Sequence, residues 1–138
     1  MASKAAMLAR VPLFSQCTPR ELGHIARLGS SLRVPVGHAV IEEGGPGDAF
    51  YVIEKGSAEV SIGGEKIGSV GAGDFLGELA LLDDLPRTAT VTTAEPTTLF
   101  MIESRDFSRF LDESSKVVIK MLATLTERIR EVQKAPTY

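Results

Sequence analysis

The chain has 138 residues, a hydrophobic fraction of 43% and a formal net charge of −3. That length suits one domain, and the apolar fraction suits a folded core and excludes a disordered chain. The mild negative charge gives the whole molecule no bias toward nucleic acid or anionic lipid, though a local basic site for a small anion is compatible with it.

Residues Met1 to Leu13 hold neither a long apolar run nor a small-residue cleavage pattern, and no stretch approaches the ~20 apolar residues of a membrane span. Cys17 is the single cysteine, so no intrachain disulfide ties the protein to an oxidising compartment. These absences make the cytoplasm the expected location. Thr18-Pro19 reads as a helix start, with Thr as cap and Pro in the first turn. Leu22, Ile25, Ala26 and Leu28 follow as a helical stripe that ends at Gly29.

The middle of the chain changes period. Leu32 to Val36 alternates, Ala39 to Glu42 is a short extended run, and Gly44-Gly45-Pro46-Gly47 closes it as a turn. Phe50 to Ile53 is rich in β-formers. Ala58 to Ile62 alternates and meets Gly63-Gly64, a strong hairpin signal before Lys66 to Val70. Thr90 to Thr93 and Thr98 to Ile102 form a last pair. Many short strands at regular spacing predict a mainly β protein, an eight-stranded roll resembling a jelly roll. Ser104-Arg105-Asp106 reads as the start of one C-terminal helix, and a second is predicted from about Ser114 to Lys134, ended by Ala135-Pro136. The expected plan is a single domain over 1–138. It has an N-terminal helix, a roll over about 30–103 and two C-terminal helices over about 104–134.

One segment does not fit a strand-turn pattern. Gly77-Glu78 opens a short apolar run, Leu79 to Leu82, and Pro86-Arg87 leads back into a strand. Gly77 leaves room for a ligand to approach the backbone. A short helix over Glu78 to Leu82 would aim amides without internal partners at an anion. Arg87 can grip two phosphate oxygens at once. Glu78 is repelled by phosphate and suits a pair of sugar hydroxyls. A cation for phosphate beside an acceptor for ribose implies a ligand whose phosphate and 2′-hydroxyl lie close together, as in a 3′,5′-cyclic nucleotide.

Gly77-Glu78-Leu79-Ala80-Leu81 followed by Pro86-Arg87-Thr88-Ala89-Thr90-Val91 resembles the phosphate-binding cassette of cyclic-nucleotide-binding domains. That family includes the catabolite activator protein and kinase regulatory subunits. Val11 to Phe14, Gly47 to Ile53 and Gly56 to Val60 resemble its helical entrance and early roll strands, so the resemblance covers nearly the whole chain. Leu76 departs from the aromatic common before Gly-Glu, with Phe75 one residue earlier. The resemblance implies that Glu78 contacts the ribose 2′-hydroxyl and Arg87 the cyclic phosphate. Gly77, Leu79 and Ala80 would add backbone donors, and Thr88 and Ala89 hydroxyl and amide contacts. Val60, Ile67 and Val70 would wall the pocket, and Arg128 falls where a side chain could stack on the base. The expected ligand is cAMP, with cGMP as the alternative, since a threonine after the cassette arginine occurs in relatives of both preferences. No cofactor is expected.

Other readings weigh less. As an isolated pair, Glu78 and Arg87 would be an ordinary surface ion pair; the surrounding motif favours a ligand. Gly71-x-Gly73-x-x-x-Gly77 lacks the spacing and strand-helix context of a dinucleotide loop. His24 and His38 make no metal-ligand spacing, so no metal is expected, and no nucleophile–base pair marks catalysis. Cys17 reads as a plain thiol and Asp83-Asp84 as a solvated turn. The expectation is a regulatory binding module and not an enzyme; a ligand-free interaction scaffold on the same fold, or a regulatory fragment of a larger protein, are the alternatives. Val118, Leu122, Leu125, Ile129 and Val132 stand at heptad spacing. They fit either a homodimer seam through the last helix or packing against the chain's own roll. No helix-turn-helix pattern follows, so no DNA-binding segment is expected in this chain. The effector protein is not identified by sequence.

Overall fold

The computed structural model describes residues 3–83 and 85–133. They fall into two compact units, one made of the residues up to Arg27 with those from Arg109 onward, the other of Leu28–Ser108.

The Leu28–Ser108 unit holds the strands β1 (Ser30–Val34), β2 (Ala39–Ile41), β3 (Ala49–Lys55), β4 (Ser57–Ile62), β5 (Glu65–Gly71), β6 (Phe75–Leu76), β7 (Thr90–Thr93) and β8 (Thr97–Glu103). They form two four-stranded antiparallel sheets, in the orders β1-β8-β3-β6 and β2-β7-β4-β5. The mainly β roll with flanking helices is thus the architecture observed. β3 lies between β8 and β6 and is buried at Ala49, Phe50, Val52 and Ile53. β5 is an edge strand and is largely exposed. Val34, Ile41, Ile53, Ala58, Leu76, Val91 and Leu99 make one apolar cluster, against which Val60 and Val70 pack. The β4–β5 hairpin turns at Gly63 and Gly64, both at positive φ (59° and 82°). That is the conformation two-residue hairpins require and glycine supplies.

Two features of this unit differ from the sequence expectation. β1 ends at Val34, not Val36, because Pro35 has no N–H to continue a ladder. β6 is a strand of two residues, Tyr51 pairing with Leu76 and Val52 with Phe75, too short for any alternation to show. The expected turn of helix after Gly77 is present as a 3₁₀ turn, Glu78–Leu81.

The other unit contains α1 (Lys4–Leu8), a 3₁₀ turn at Pro12–Phe14, α2 (Pro19–Ala26) and α4 (Ser115–Val132); α3 (Ser104–Asp112) begins in the roll unit. α1 is an addition to the single expected N-terminal helix; at five residues it is too brief for a readable stripe. α2 starts at Thr18 as expected, through a reciprocal capping box. The Glu21 amide donates to Thr18 Oγ1 at 3.2 Å, and the Thr18 amide donates to Glu21 Oε1 at 2.8 Å. Leu8, Val11, Leu13, Phe14, Leu22, Ile25, Val117 and Met121 are the buried apolar residues of this unit among those described. Asp84, the expected helix end at Lys134 and the Ala135-Pro136 stop lie outside the described residues. Among the described residues, no helix is long and apolar enough to cross a membrane, and no cluster of metal-ligating side chains occurs.

Candidate functional site: a cleft between a left-handed glycine and an arginine

The site is built where β6 runs out. Gly77 takes φ 71°, ψ 34°, a left-handed conformation that reverses the chain into the 3₁₀ turn. A side chain there would be strained, at ~1–2 kcal/mol, and its Cβ would collide with the Arg87 guanidinium. Gly77 is therefore needed both for the turn and for the close approach of Arg87. The turn is anchored by Ala80 and Leu81, which are buried, while Leu79 faces out. The Ala80 amide donates to the Gly77 carbonyl at 3.0 Å, whereas amides opening a helical turn have no partner within it.

Arg87 is placed by the loop between β2 and β3. Its amide donates to the Gly45 carbonyl at 2.9 Å, and its carbonyl accepts from the Gly44 amide at 2.8 Å. Its Nη2 donates to the Ala49 carbonyl. A guanidinium carries five N–H donors in a fixed fork, so one bond to a carbonyl orients it and leaves donors for an anion. Gly47 makes the loop's approach feasible: a Cβ there would lie 2.6 Å from the Leu85 carbonyl oxygen.

Around this arginine the surface is concave. A cleft of about 390 Å³ is lined by Gly77, Glu78, Leu79, Ala80, Arg87 and Thr88, with Phe75, Asp83, Leu85 and Pro86. A neighbouring one of about 200 Å³ shares Gly77, Arg87 and Thr88 and adds Val60, Ala89, Ile41, Leu76 and Val91. Glu78 is only 8% exposed. A carboxylate is costly to bury without hydrogen-bonding partners, so this one belongs to a polar constellation and not to the solvated surface. Behind Arg87 a third recess, about 210 Å³, is lined by Asp48 and Tyr51 among others. Burial pushes the Tyr51 phenol above its ordinary value, Asp48 adds to the rise and Arg87 opposes it.

All seven cassette residues expected from sequence line one or both of the first two clefts. Of the four expected wall residues, Val60 lines the smaller one. Val70 packs against the roll's apolar cluster. Ile67 is 58% exposed on the edge strand β5. Arg128 is exposed on α4, in the other unit. Sequence reasoning missed the main-chain groups of Gly44, Gly45 and Ala49 that hold Arg87, and the apolar lining at Phe75, Leu85 and Val91. Four glycines and prolines in a row at Gly44–Gly47 were the available signal, and they read equally well as a plain turn.

The sequence profile of the cyclic nucleotide-binding domain matches residues 31–114. The cAMP-dependent protein kinase regulatory subunit of Emericella nidulans is 42% identical over 108 residues, which cover 77% of this chain and 26% of that protein. The chain thus spans about a quarter of that relative's length. Among solved structures, the N-terminal domain of a transcriptional regulator from Streptomyces coelicolor superposes with a TM-score of 0.86 at 26% identity, covering 96% of this chain and 98% of that one. The regulatory domain of Toxoplasma gondii PKA, crystallised with cAMP, does so with a TM-score of 0.71 at 25% identity, covering 93% of this chain and 49% of that one. The chain belongs to the cyclic nucleotide-binding domain family.

Proposed function

We propose that the cleft at Gly77, Glu78 and Arg87 binds a 3′,5′-cyclic nucleotide, with cAMP preferred over cGMP, and that the chain serves as one regulatory module across both units. The observation that carries this reading is the pairing of opposite chemistries in one cleft: the Arg87 fork beside Gly77, and the buried Glu78 carboxylate on the same lining. Arg87 takes the cyclic phosphate and Glu78 the ribose 2′-hydroxyl. The backbone of Gly77, Leu79 and Ala80 assists at the phosphate, the Ala80 amide giving up its bond to the Gly77 carbonyl, and Thr88 and Ala89 add hydroxyl and amide contacts. The solved relative crystallised with cAMP supports the choice of nucleotide.

Binding makes ligand contacts that one conformation satisfies better than another, so it shifts the population toward that conformation; the C-terminal helices α3 and α4 are the elements that move. The module senses and does not catalyse. It works in the cytoplasm on an effector protein still to be identified. Calorimetric titration with cAMP and then cGMP tests the reading. Saturable binding with tighter cAMP supports it, tighter cGMP reverses the preference, and no binding of either leaves the scaffold reading.

The exposed apolar residues of α4 support a second proposal, a homodimer through that helix. Leu122 and Ile129 are 58% and 57% exposed, one heptad apart, beside the buried face of Val117 and Met121. Light scattering of wild type and Leu122→Glu checks it: a dimer that the substitution turns into a monomer is expected, and a wild-type monomer at high micromolar concentration defeats it.

A further inference from the structure

The helical unit carries a groove of about 570 Å³, larger than the cleft of about 390 Å³ at Gly77. Its basic side chains come in two helical pairs. Arg20 and His24 stand four apart on α2, and Lys116 and Lys120 four apart on α4; at that spacing each pair shares a face of its helix. Phe110, half-buried, adds apolar surface to the lining.

The charges do not balance. Lys120 and Glu21 are committed to each other at 2.5 Å, and the same Glu21 oxygen caps α2. That leaves Arg20 and Lys116 against one carboxylate, Glu113: two positive less one negative, an excess of one charge with His24 neutral. The chain as a whole carries −3. The groove therefore stands out in charge from the chain that carries it. It is a surface whose charge complements an anion, and the apolar lining favours an anion that also carries hydrophobic groups.

We propose that this groove docks an acidic peptide segment of a partner protein, its carboxylates meeting Arg20 and Lys116 and an apolar side chain lying on the half-buried Phe110. The groove's volume falls in the range of ~300–1,000 Å³ that recognition pockets occupy, and charge complementarity of this kind sets partner choice and association rate. The proposal is independent of the cyclic-nucleotide reading, because none of these residues lines the clefts around Arg87.

The test uses the full chain and a fluorescein-labelled peptide, Glu-Glu-Leu-Asp-Glu-Leu-Glu-Glu, followed by anisotropy at low salt. Saturable binding is expected. Its affinity should fall at least about tenfold in Arg20→Glu/Lys116→Glu, the scale expected for losing two complementary pairs. A peptide with Gln and Asn for Glu and Asp should bind no better than that variant. Both residues are exposed, so the fold should survive; melting curves check this, and Arg20→Gln/Lys116→Gln is the milder substitute. Cyclic-nucleotide affinity should stay unchanged in both variants. Equal binding of the acidic and amide peptides, or a variant within twofold of wild type, overturns the proposal. So does saturable binding of inorganic pyrophosphate where the acidic peptide fails, which would make the groove a phosphate site instead.

Discussion

Two short segments meet at Arg87, and they work by different means. The Gly77–Ala89 segment contributes side chains: a guanidinium, a buried carboxylate and a hydroxyl, each with its own chemistry. The Gly44–Ala49 segment contributes main-chain groups: the Gly44 amide and the Gly45 and Ala49 carbonyls, all spent on positioning Arg87. One segment is the instrument and the other the mount. The first is conspicuous in sequence because a guanidinium and a carboxylate are identifiable from residue type alone. The second is not, because every residue owns an amide and a carbonyl.

The largest effect should come from removing the instrument. Arg87→Ala deletes the proposed phosphate cation, and truncating one member of such a charge pair costs ~2–5 kcal/mol. That is roughly 30- to several-thousand-fold in Kd. Arg87→Lys restores the charge but not the fork and should fall between wild type and alanine. Glu78→Gln keeps an acceptor at the proposed sugar contact and should cost less than Arg87→Ala. Titrations of all four proteins, with melting curves to confirm folding, check the order. Arg87→Ala binding within about threefold of wild type, under ~1 kcal/mol, would show that Arg87 belongs to an ion pair and not to a ligand site.

Disturbing the mount is the next test. Gly47→Ala touches no group of the proposed ligand contacts, yet its Cβ would press on the Leu85 carbonyl from 2.6 Å. The loop has to give way, and the hold on Arg87 loosens with it. A loss of stability of ~1–3 kcal/mol, the scale of overpacking, should accompany a drop in affinity smaller than that of Arg87→Ala. A variant that is destabilised but binds like wild type would mean that the Gly44–Ala49 loop supports the fold without placing the arginine.

The same division explains what was legible beforehand. The roll could be read because its strands alternate and its hairpin glycines stand where positive φ is needed, at Gly63 and Gly64. The start of α2 could be read because Thr18, Pro19 and Glu21 each have a positional meaning at a helix N-terminus. β6 could not, since two residues have no period. The pocket wall was harder still. Val60, Ile67 and Val70 look alike in sequence, but register separates them: Ile67 and Val70 share the edge strand β5, yet Ile67 falls where the β4–β5 register shifts and is left in solvent, while Val70 packs against the core. Side-chain chemistry was therefore foreseeable, and burial that depends on local register within a strand was not.

The smallest effect concerns a residue of the helical unit in which capping and ion pairing meet. Glu21 accepts from Lys120 Nζ and from the Thr18 amide through the same oxygen. Lys120 is the larger cause and Thr18 the next, and together they hold the Glu21 carboxyl below its ordinary value of 4.5, against the opposing pull of burial. A carboxyl whose folded value is depressed stabilises the fold above its unfolded value and loses that contribution as pH falls through the folded one. Thermal stability should therefore decline as pH drops below about 4.5 in wild type. Lys120→Met removes the main cause of the depression while keeping a chain long enough to cover the site. The variant should melt below wild type at neutral pH. The gap should close in acid, where Glu21 is protonated in both proteins and the pair no longer exists to be lost. Melting temperatures of the two proteins from neutral pH to about pH 2 read this directly. A gap that stays constant across that range would mean that Lys120 acts through the packing of its methylenes and that its charge contributes nothing.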